Sequence, residues 1–176
     1  MPDRAHSTAA SVQMVVTDVD GTLTDGGMYY SSSGDTFKRF HVRDGLGVRL
    51  LAKAGIEVAW ISSDSSQVIA HRAERLDLAH CHTGVTDKVE VLRALCERLS
   101  TTVDRVAFLG DDLQDLSVLE MVGYPAAVGD AHELIKRAAV YQCSKNGGYG
   151  AFRELAEHLL SEKGEDLADV WKGVQG

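Results

Sequence analysis

The sequence predicts a three-layer α/β fold, a parallel sheet with helices on both faces. Three observations carry that expectation. Short, continuous apolar runs rich in β-branched residues recur along the chain, as strands buried on both faces require. Segments with apolar residues at helical spacing lie between them. The two kinds of segment alternate, which calls for parallel strands joined by helical crossovers. In such sheets ligands bind outside the carboxyl ends of the strands.

The elements follow in order. Residues 1–11 read as a flexible leader, and residues 12–162 as a single domain. VQMVV (12–16) is a buried strand. GMYYSSSGDTFKRFHV (27–42) is a hairpin inserted after it, its aromatics flanking a Ser/Gly/Asp turn. Residues 45–54 form a short helix ending at Gly55. IEVAWIS (56–62) is a second buried strand and 65–76 a helix. A short strand is expected at 79–84, then a helix over 87–99 with Val89, Leu92, Leu95, Cys96 and Leu99 on one stripe. DRVAFLG (104–110) is a strand, 113–121 a helix, YPAAVG (124–129) a strand and 131–138 a helix. AVYQC (139–143) is the last strand and 150–160 the closing helix. Residues 163–176 form a tail in which Leu167, Val170, Trp171 and Val174 keep helical spacing, suited to packing on its own domain or on a neighbour.

Composition bounds the function. The 176 residues carry a formal net charge of −8, which argues against a general nucleic-acid or anionic-membrane binder, since both need basic surface. Cys81, Cys96 and Cys143 are scattered and odd in number, which reads as reduced thiols of a cytoplasmic protein. No segment has the length of a membrane span, and the first residues have no apolar signal core.

Four strand ends carry polar residues: Asp18 and Asp20, Ser62 and Ser63, then Asp87 and Lys88, then Asp111, Asp112 and Asp115 in GDDLQD. A single acid at such a junction is ordinarily a helix cap. Four ends together point to a site. Asp18 and Asp20 are two apart, so extended chain sends both to one side. Converging carboxylates repel one another and need a cation. Oxygen ligands without His or Cys suit Mg²⁺, which also takes phosphate oxygens. One carboxylate can then attack phosphorus to give an aspartyl-phosphate, and another can protonate the leaving oxygen and later activate water. A serine hydroxyl and a lysine ammonium would hold the phosphoryl oxygens. Gly21 allows close approach of the backbone to the phosphate.

DVDGT, the strand-terminal Ser, the Lys and GDDLQD, in this order, resemble the four motifs of the haloacid dehalogenase superfamily. The resemblance implies a Rossmann-like fold with Asp18 as nucleophile, Asp20 as general acid/base, Ser62 and Lys88 as phosphate-binding groups, and Asp111 and Asp112 as metal-site acids. It places the backbone carbonyl of Asp20 on the metal. Over roughly residues 13–162 the chain is further similar to the subgroup containing 3-deoxy-manno-octulosonate-8-phosphate phosphatase. Only 41 residues separate Asp20 from Ser62, and 25 separate Ser62 from Lys88, which leaves no room for a cap domain. The subgroup implies a Mg²⁺-dependent homotetramer whose hairpins pack together and whose neighbouring subunits help close each site. The substrate implied is a small phosphorylated metabolite, a sugar or sugar-acid phosphate monoester.

One departure bears on the substrate. The subgroup carries Gly-Arg after the strand-terminal hydroxyl, where this chain has Ser63 and Asp64. An aspartate repels a sugar-acid carboxylate, which predicts a poor octulosonate-8-phosphate substrate unless Arg72, Arg43 or Lys38 compensates. Arg153, in KNGGYGAFRE, is a candidate phosphate or substrate contact by the same likeness. Asp44 with Arg43 either shapes the site or caps the helix from Gly45. Asp115 either lines the metal site or serves as an acid of a helix first turn. His41 is read as a solvated residue at a strand end, and the His80–His82 pair lacks a third metal ligand. The rival functions are a phosphate-receiving signalling domain, a dehalogenase, and an inactive relative acting through its oligomer or a partner in a sugar-nucleotide pathway beside a cytidylyltransferase. The D-x-D spacing disfavours the first, and the acid at Asp20 the second.

Overall fold

The computed structural model describes residues 7–34 and 36–175. At its centre is β1 (Met14–Thr17), four residues that are all buried. Parallel strands flank it on both sides. β4 (Glu57–Ile61) and then β5 (His80–His82) lie on one side. β6 (Val106–Gly110), β7 (Tyr124–Ala127) and β8 (Tyr141–Gln142) lie on the other. The order β5-β4-β1-β6-β7-β8 reverses direction between β1 and β6. That reversal leaves a crevice at the carboxyl ends of these two strands, the place where doubly wound sheets hold ligands.

Helices cover both faces. On one side α1 (Val42–Lys53) packs on α6 (Ala151–Glu162) and α7 (Leu167–Gln175), and α2 (Gln67–Glu74) leans on α1 at Gly45. On the other, α3 (Lys88–Arg98), α4 (Leu116–Leu119) and α5 (Glu133–Ala138) form a contiguous row. Between the layers Trp60, Phe108 and Phe152 are the largest fully buried side chains. Asp87 caps α3, accepting from the amides of Val89 and Glu90 at 2.9 and 3.1 Å. That cap fixes Lys88 as the first helical residue, facing the crevice.

The hairpin is present but short. β2 (Tyr29–Tyr30) and β3 (Thr36–Phe37) pair antiparallel outside the main sheet, and a bridge joins Thr24 to Phe40. Met28, Tyr30 and Phe37 are exposed on it.

Several boundaries differ from expectation. α1 begins at Val42, because His41 is extended and its Nδ1 already accepts from the Arg43 amide at 3.3 Å. Asp44 therefore caps no helix of its own. Its buried carboxylate reaches across to accept from the Arg153 amide at 2.9 Å, in the first turn of α6. This supplies an acceptor that the α6 N-cap, Gly150, has no side chain to provide. The helix expected over 113–121 is a 3₁₀ turn, Leu113–Asp115, followed by one turn of α-helix. In the expected leader, the Ser7 amide donates to the Gly123 carbonyl at 3.0 Å, and Ala9–Ser11 make a 3₁₀ turn with Ala9 buried. The other leader residues, 1–6, lie outside the described residues. The tail forms α7, with Val170 buried against its own domain. Among the described residues no helix is long and apolar enough to cross a membrane.

Phe108 sits between Val16 and Pro125 in the middle of the sheet, with no solvent exposure. Phe108→Ala leaves a cavity that neighbouring strands cannot close. It is expected to lower unfolding free energy by about 3–5 kcal/mol, read from chemical denaturation.

Candidate active site

The chain leaves β1 at Asp18, whose amide is held by the Leu109 carbonyl at 3.0 Å. It then turns sharply. The Val19 carbonyl accepts from the amides of Thr22, Leu23 and Thr24. The carboxylates of the two aspartates find different partners.

Asp18 is buried, and its Oδ1 accepts from Lys88 Nζ at 2.5 Å. The same ammonium donates to Asp115 Oδ1 at 2.7 Å. Asp115 Oδ2 accepts from the Asp111 amide at 3.2 Å, and Thr22 Oγ1 donates to Asp111 Oδ1 at 2.9 Å. Asp18, Asp111 and Asp115 each offer a carboxylate oxygen within 4.8 Å of the others. Asp18 Oδ2 is buried with no hydrogen-bond partner among the described residues.

The electrostatics of this cluster are unbalanced. Burial and the charge of Asp115 raise the Asp18 carboxyl well above the usual range, although Lys88 pulls the other way. Burial and Asp115 push Asp111 up to about 6. Burial also raises Asp115 despite Lys88. Burial alone would depress the Lys88 ammonium, but Asp18 and Asp115 outweigh it, so Lys88 stays charged. One cation among three carboxylates, two buried and one half-buried, leaves an excess of negative charge. An all-oxygen donor set with an unpartnered carboxylate oxygen fits a hard divalent cation such as Mg²⁺.

Of the acids expected at the metal, the cluster gathers the carboxylates of Asp18 and Asp111, with Asp115. Asp112 is exposed and accepts from the Leu113 amide at 2.8 Å, so it caps the 3₁₀ turn. That same turn swings Asp115 inward, beside Asp18 and Asp111, the first of the two readings open for it. The Asp20 side chain also lies outside the acid cluster. Its Oδ1 accepts from Lys38 Nζ and its Oδ2 from Ser62 Oγ at 3.3 Å.

Ser62 is buried and central: its Oγ also accepts from the Asp64 amide at 3.1 Å. Asp64 faces Lys38 across 2.7 Å and fixes the Ser66 amide at 2.8 Å. Burial alone would raise Asp64, but its hydrogen bonds to Lys38 and the Ser66 amide, with the charge of Lys38, together outweigh that and lower it. Lys38 is likewise held charged, because its bonds to Asp20 and Asp64 overcome the effect of burial. Of the three cations considered as compensation for Asp64, Lys38 is the one that reaches it.

Gly21 lies between the two carboxylates with φ of +89°, and a Cβ there would sit 2.1 Å from Asp111 Oδ2. Gly147, from the expected glycine cluster, presses on the same turn. A Cβ on it would meet the Gly21 carbonyl at 1.6 Å. Its amide donates to Asp130 Oδ1 at 2.9 Å, and the Gly148 amide donates to the Thr22 carbonyl at 3.0 Å. The glycine cluster is thus a buttress for the loop that carries Asp20.

Ser63 is exposed and lines a small cavity of about 140 Å³ with Lys88, Asp87 and Gln114. Two expected substrate residues are engaged elsewhere. Arg72 lies with its guanidinium 5.9 Å from the Phe40 ring centroid and against Gly45 of α1. Arg153 pairs with Glu157 one turn along α6, at 2.6 Å, and lines a separate cleft with Arg43 and Tyr149. Helical i,i+4 geometry satisfies Arg153 locally. His80 Nδ1 lies 2.9 Å from Arg98 Nη2, and neither His80 nor His82 joins a metal-holding group among the described residues. The contact of Lys38 with Asp20, beside its expected one with Asp64, is what the sequence reading did not foresee. Its one signal is a lone lysine between the aromatics Phe37 and Phe40 of the hairpin.

Comparison with known proteins agrees with this geometry. The profile of haloacid dehalogenase-like hydrolases matches residues 69–155. The 3-deoxy-D-manno-octulosonate 8-phosphate phosphatase KdsC of Haemophilus influenzae is 36% identical over 166 residues, 94% of this chain and 91% of that protein. Among solved structures, a putative haloacid dehalogenase superfamily hydrolase from Legionella pneumophila aligns with a TM-score of 0.92 and 35% identity, covering 95% of this chain and 91% of that one. The 3-deoxy-D-manno-octulosonate 8-phosphate phosphatase of Moraxella catarrhalis, solved with magnesium, phosphate and KDO, aligns with a TM-score of 0.88 and 33% identity, covering 96% of this chain and 95% of that one. With identity at this level along nearly its whole length, the chain belongs to the haloacid dehalogenase-like hydrolases, in the family of the 3-deoxy-D-manno-octulosonate 8-phosphate phosphatases.

Proposed function

We propose that the chain is a Mg²⁺-dependent phosphatase that hydrolyses a small sugar or sugar-acid phosphate monoester through an aspartyl-phosphate on Asp18. The observation that carries this reading is Asp18 itself: one oxygen on Lys88, the other buried and unpartnered, inside a cluster of acids. The magnesium in the Moraxella relative supports the choice of cation.

Asp18, Asp111 and Asp115 would hold the metal, which when bound offsets their charge and that of the phosphoryl oxygens. Asp18 attacks phosphorus as the ester P–O bond breaks, and Asp20 gives its proton to the departing alkoxide. Ser62 Oγ and the Lys88 ammonium stand at the strand ends to hold phosphoryl oxygens. Asp20, now ionised, takes a proton from water. That water attacks phosphorus, the acyl-phosphate P–O bond breaks, and inorganic phosphate and the Asp18 carboxylate are restored.

Lys38 neutralises Asp64, so the repulsion of a sugar-acid carboxylate expected from Asp64 is softened. Both neutral sugar phosphates and eight- or nine-carbon sugar-acid phosphates therefore belong in a substrate panel. The exposed Met28, Tyr30 and Phe37 of the hairpin support self-association into a tetramer, since a monomer would leave them in water. The free thiols Cys81, Cys96 and Cys143 are in keeping with a cytoplasmic location.

Phosphate release from the panel is expected to require Mg²⁺ and to cease with chelator. Asp18→Asn should lose roughly 10³-fold or more in kcat; turnover near the wild-type rate would exclude Asp18 as nucleophile. A second prediction follows from Asp111. Its carboxyl ionises near pH 3.8 when unfolded and at about 6 when folded without metal. The metal-free folded state therefore binds the extra proton, and its stability falls as pH rises through that window. Mg²⁺ replaces the proton, so it should raise Tm more at pH 7.5 than at pH 5. Equal shifts at the two pH values would contradict the assignment of Asp111 to the metal site.

A further inference from the structure

Lys38 has no role in the phosphoryl chemistry above, yet its side chain is only 6% exposed and its ammonium touches two carboxylates at the mouth of the site. It arrives from the hairpin, the one element outside the main sheet. The hairpin is docked by the Thr24–Phe40 bridge, by the Phe40 ring stacked on Trp60, and by Arg39 donating to the Gly148 carbonyl at 3.0 Å.

Asp20 needs holding. Its side chain is 28% exposed, and a solvated carboxylate on a loop has several rotamers available. Lys38 takes Oδ1 and the Ser62 hydroxyl takes Oδ2, so both oxygens are engaged. Asp64 grips Lys38 from the other side, and is itself fixed by the Ser66 amide. The Asp64 amide donates to Ser62 Oγ, which closes a ring of four residues: Asp20, Lys38, Asp64 and Ser62.

We propose that Lys38, anchored by Asp64, is a positioning residue that aims the Asp20 carboxyl at the leaving oxygen. The inference rests on the phosphatase reading and deepens it. The proton transfer concerned moves one proton from Asp20 to the ester oxygen while the P–O bond breaks. Its weight depends on the leaving group: an alkoxide needs the proton, whereas p-nitrophenolate leaves without much help. A lysine that only held phosphate would serve both substrates alike.

The test compares kcat and KM for p-nitrophenyl phosphate and for glucitol 6-phosphate, with Mg²⁺, in wild type, Lys38→Met, Lys38→Arg, Asp64→Asn and Asp20→Asn. Thermal melting checks that each variant is folded. Lys38→Met is expected to lose kcat on the alkyl ester roughly tenfold or more beyond its loss on the aryl ester, the direction set by Asp20→Asn. Lys38→Arg should recover part of that difference, and Asp64→Asn should fall between Lys38→Met and wild type. Equal losses on the two esters, or a raised KM with kcat unchanged, would overturn the inference and make Lys38 a phosphate ligand. A wild type that hydrolyses neither these esters nor any sugar or sugar-acid phosphate of the panel overturns the phosphatase reading and this inference together. An active wild type with uniform variant losses overturns this inference alone.

Discussion

The site depends on one buried ammonium. Lys88 lies between Asp18 and Asp115, all three nearly free of solvent. Burying such charges is costly unless each is paired and hydrogen-bonded, and removing one partner of a buried pair costs about 3–5 kcal/mol. The fold is organised to deliver the three together. β1 ends at Asp18, the Asp87 cap starts α3 at Lys88, and the 3₁₀ turn after β6 curls Asp115 back under Gly110. The crevice between β1 and β6 exists because the strand order reverses there, so the topology and the charge cluster have one origin. With Asp111 added, the acids outnumber the cation, and a hard divalent cation would offset that surplus.

Much of this was legible from residue types and their spacing. The strands are continuous apolar runs, and their polar ends marked Asp18, Ser62, Lys88 and Asp111. Asp115 and Asp112 were harder to assign. Both lie in GDDLQD, one just before and one inside the helix expected over 113–121. The segment opens instead as a 3₁₀ turn, whose tighter winding puts Asp112 at the cap and Asp115 inside. Arg72 and Arg153 have local partners that spacing did not show: Arg72 faces the Phe40 ring of the hairpin, and Arg153 pairs with Glu157 one turn along α6. Asp44 illustrates a third kind of limit. Its partner is the amide of Arg153, more than a hundred residues away, and only the packing of α1 on α6 makes that contact visible.

Lys38 belongs to the same class of long-range contact. No short pattern surrounds it, and its two carboxylate partners lie on different loops. Once placed, it resembles Lys88 in arrangement: one ammonium between two carboxylates. The two clusters differ in burial, and the difference suits the roles proposed for the two acids. Asp18 is sealed with one oxygen unpaired, as suits the proposed nucleophile. Asp20 and Asp64 keep about a third of their side chains open. The proton transfers proposed for Asp20 would need that opening, and also a fixed direction. A carboxylate open to solvent can be held in one orientation only if charged or hydroxyl donors occupy both oxygens, and Lys38 with Ser62 does this. Burial thus fixes the first acid, and a borrowed cation from the hairpin fixes the second.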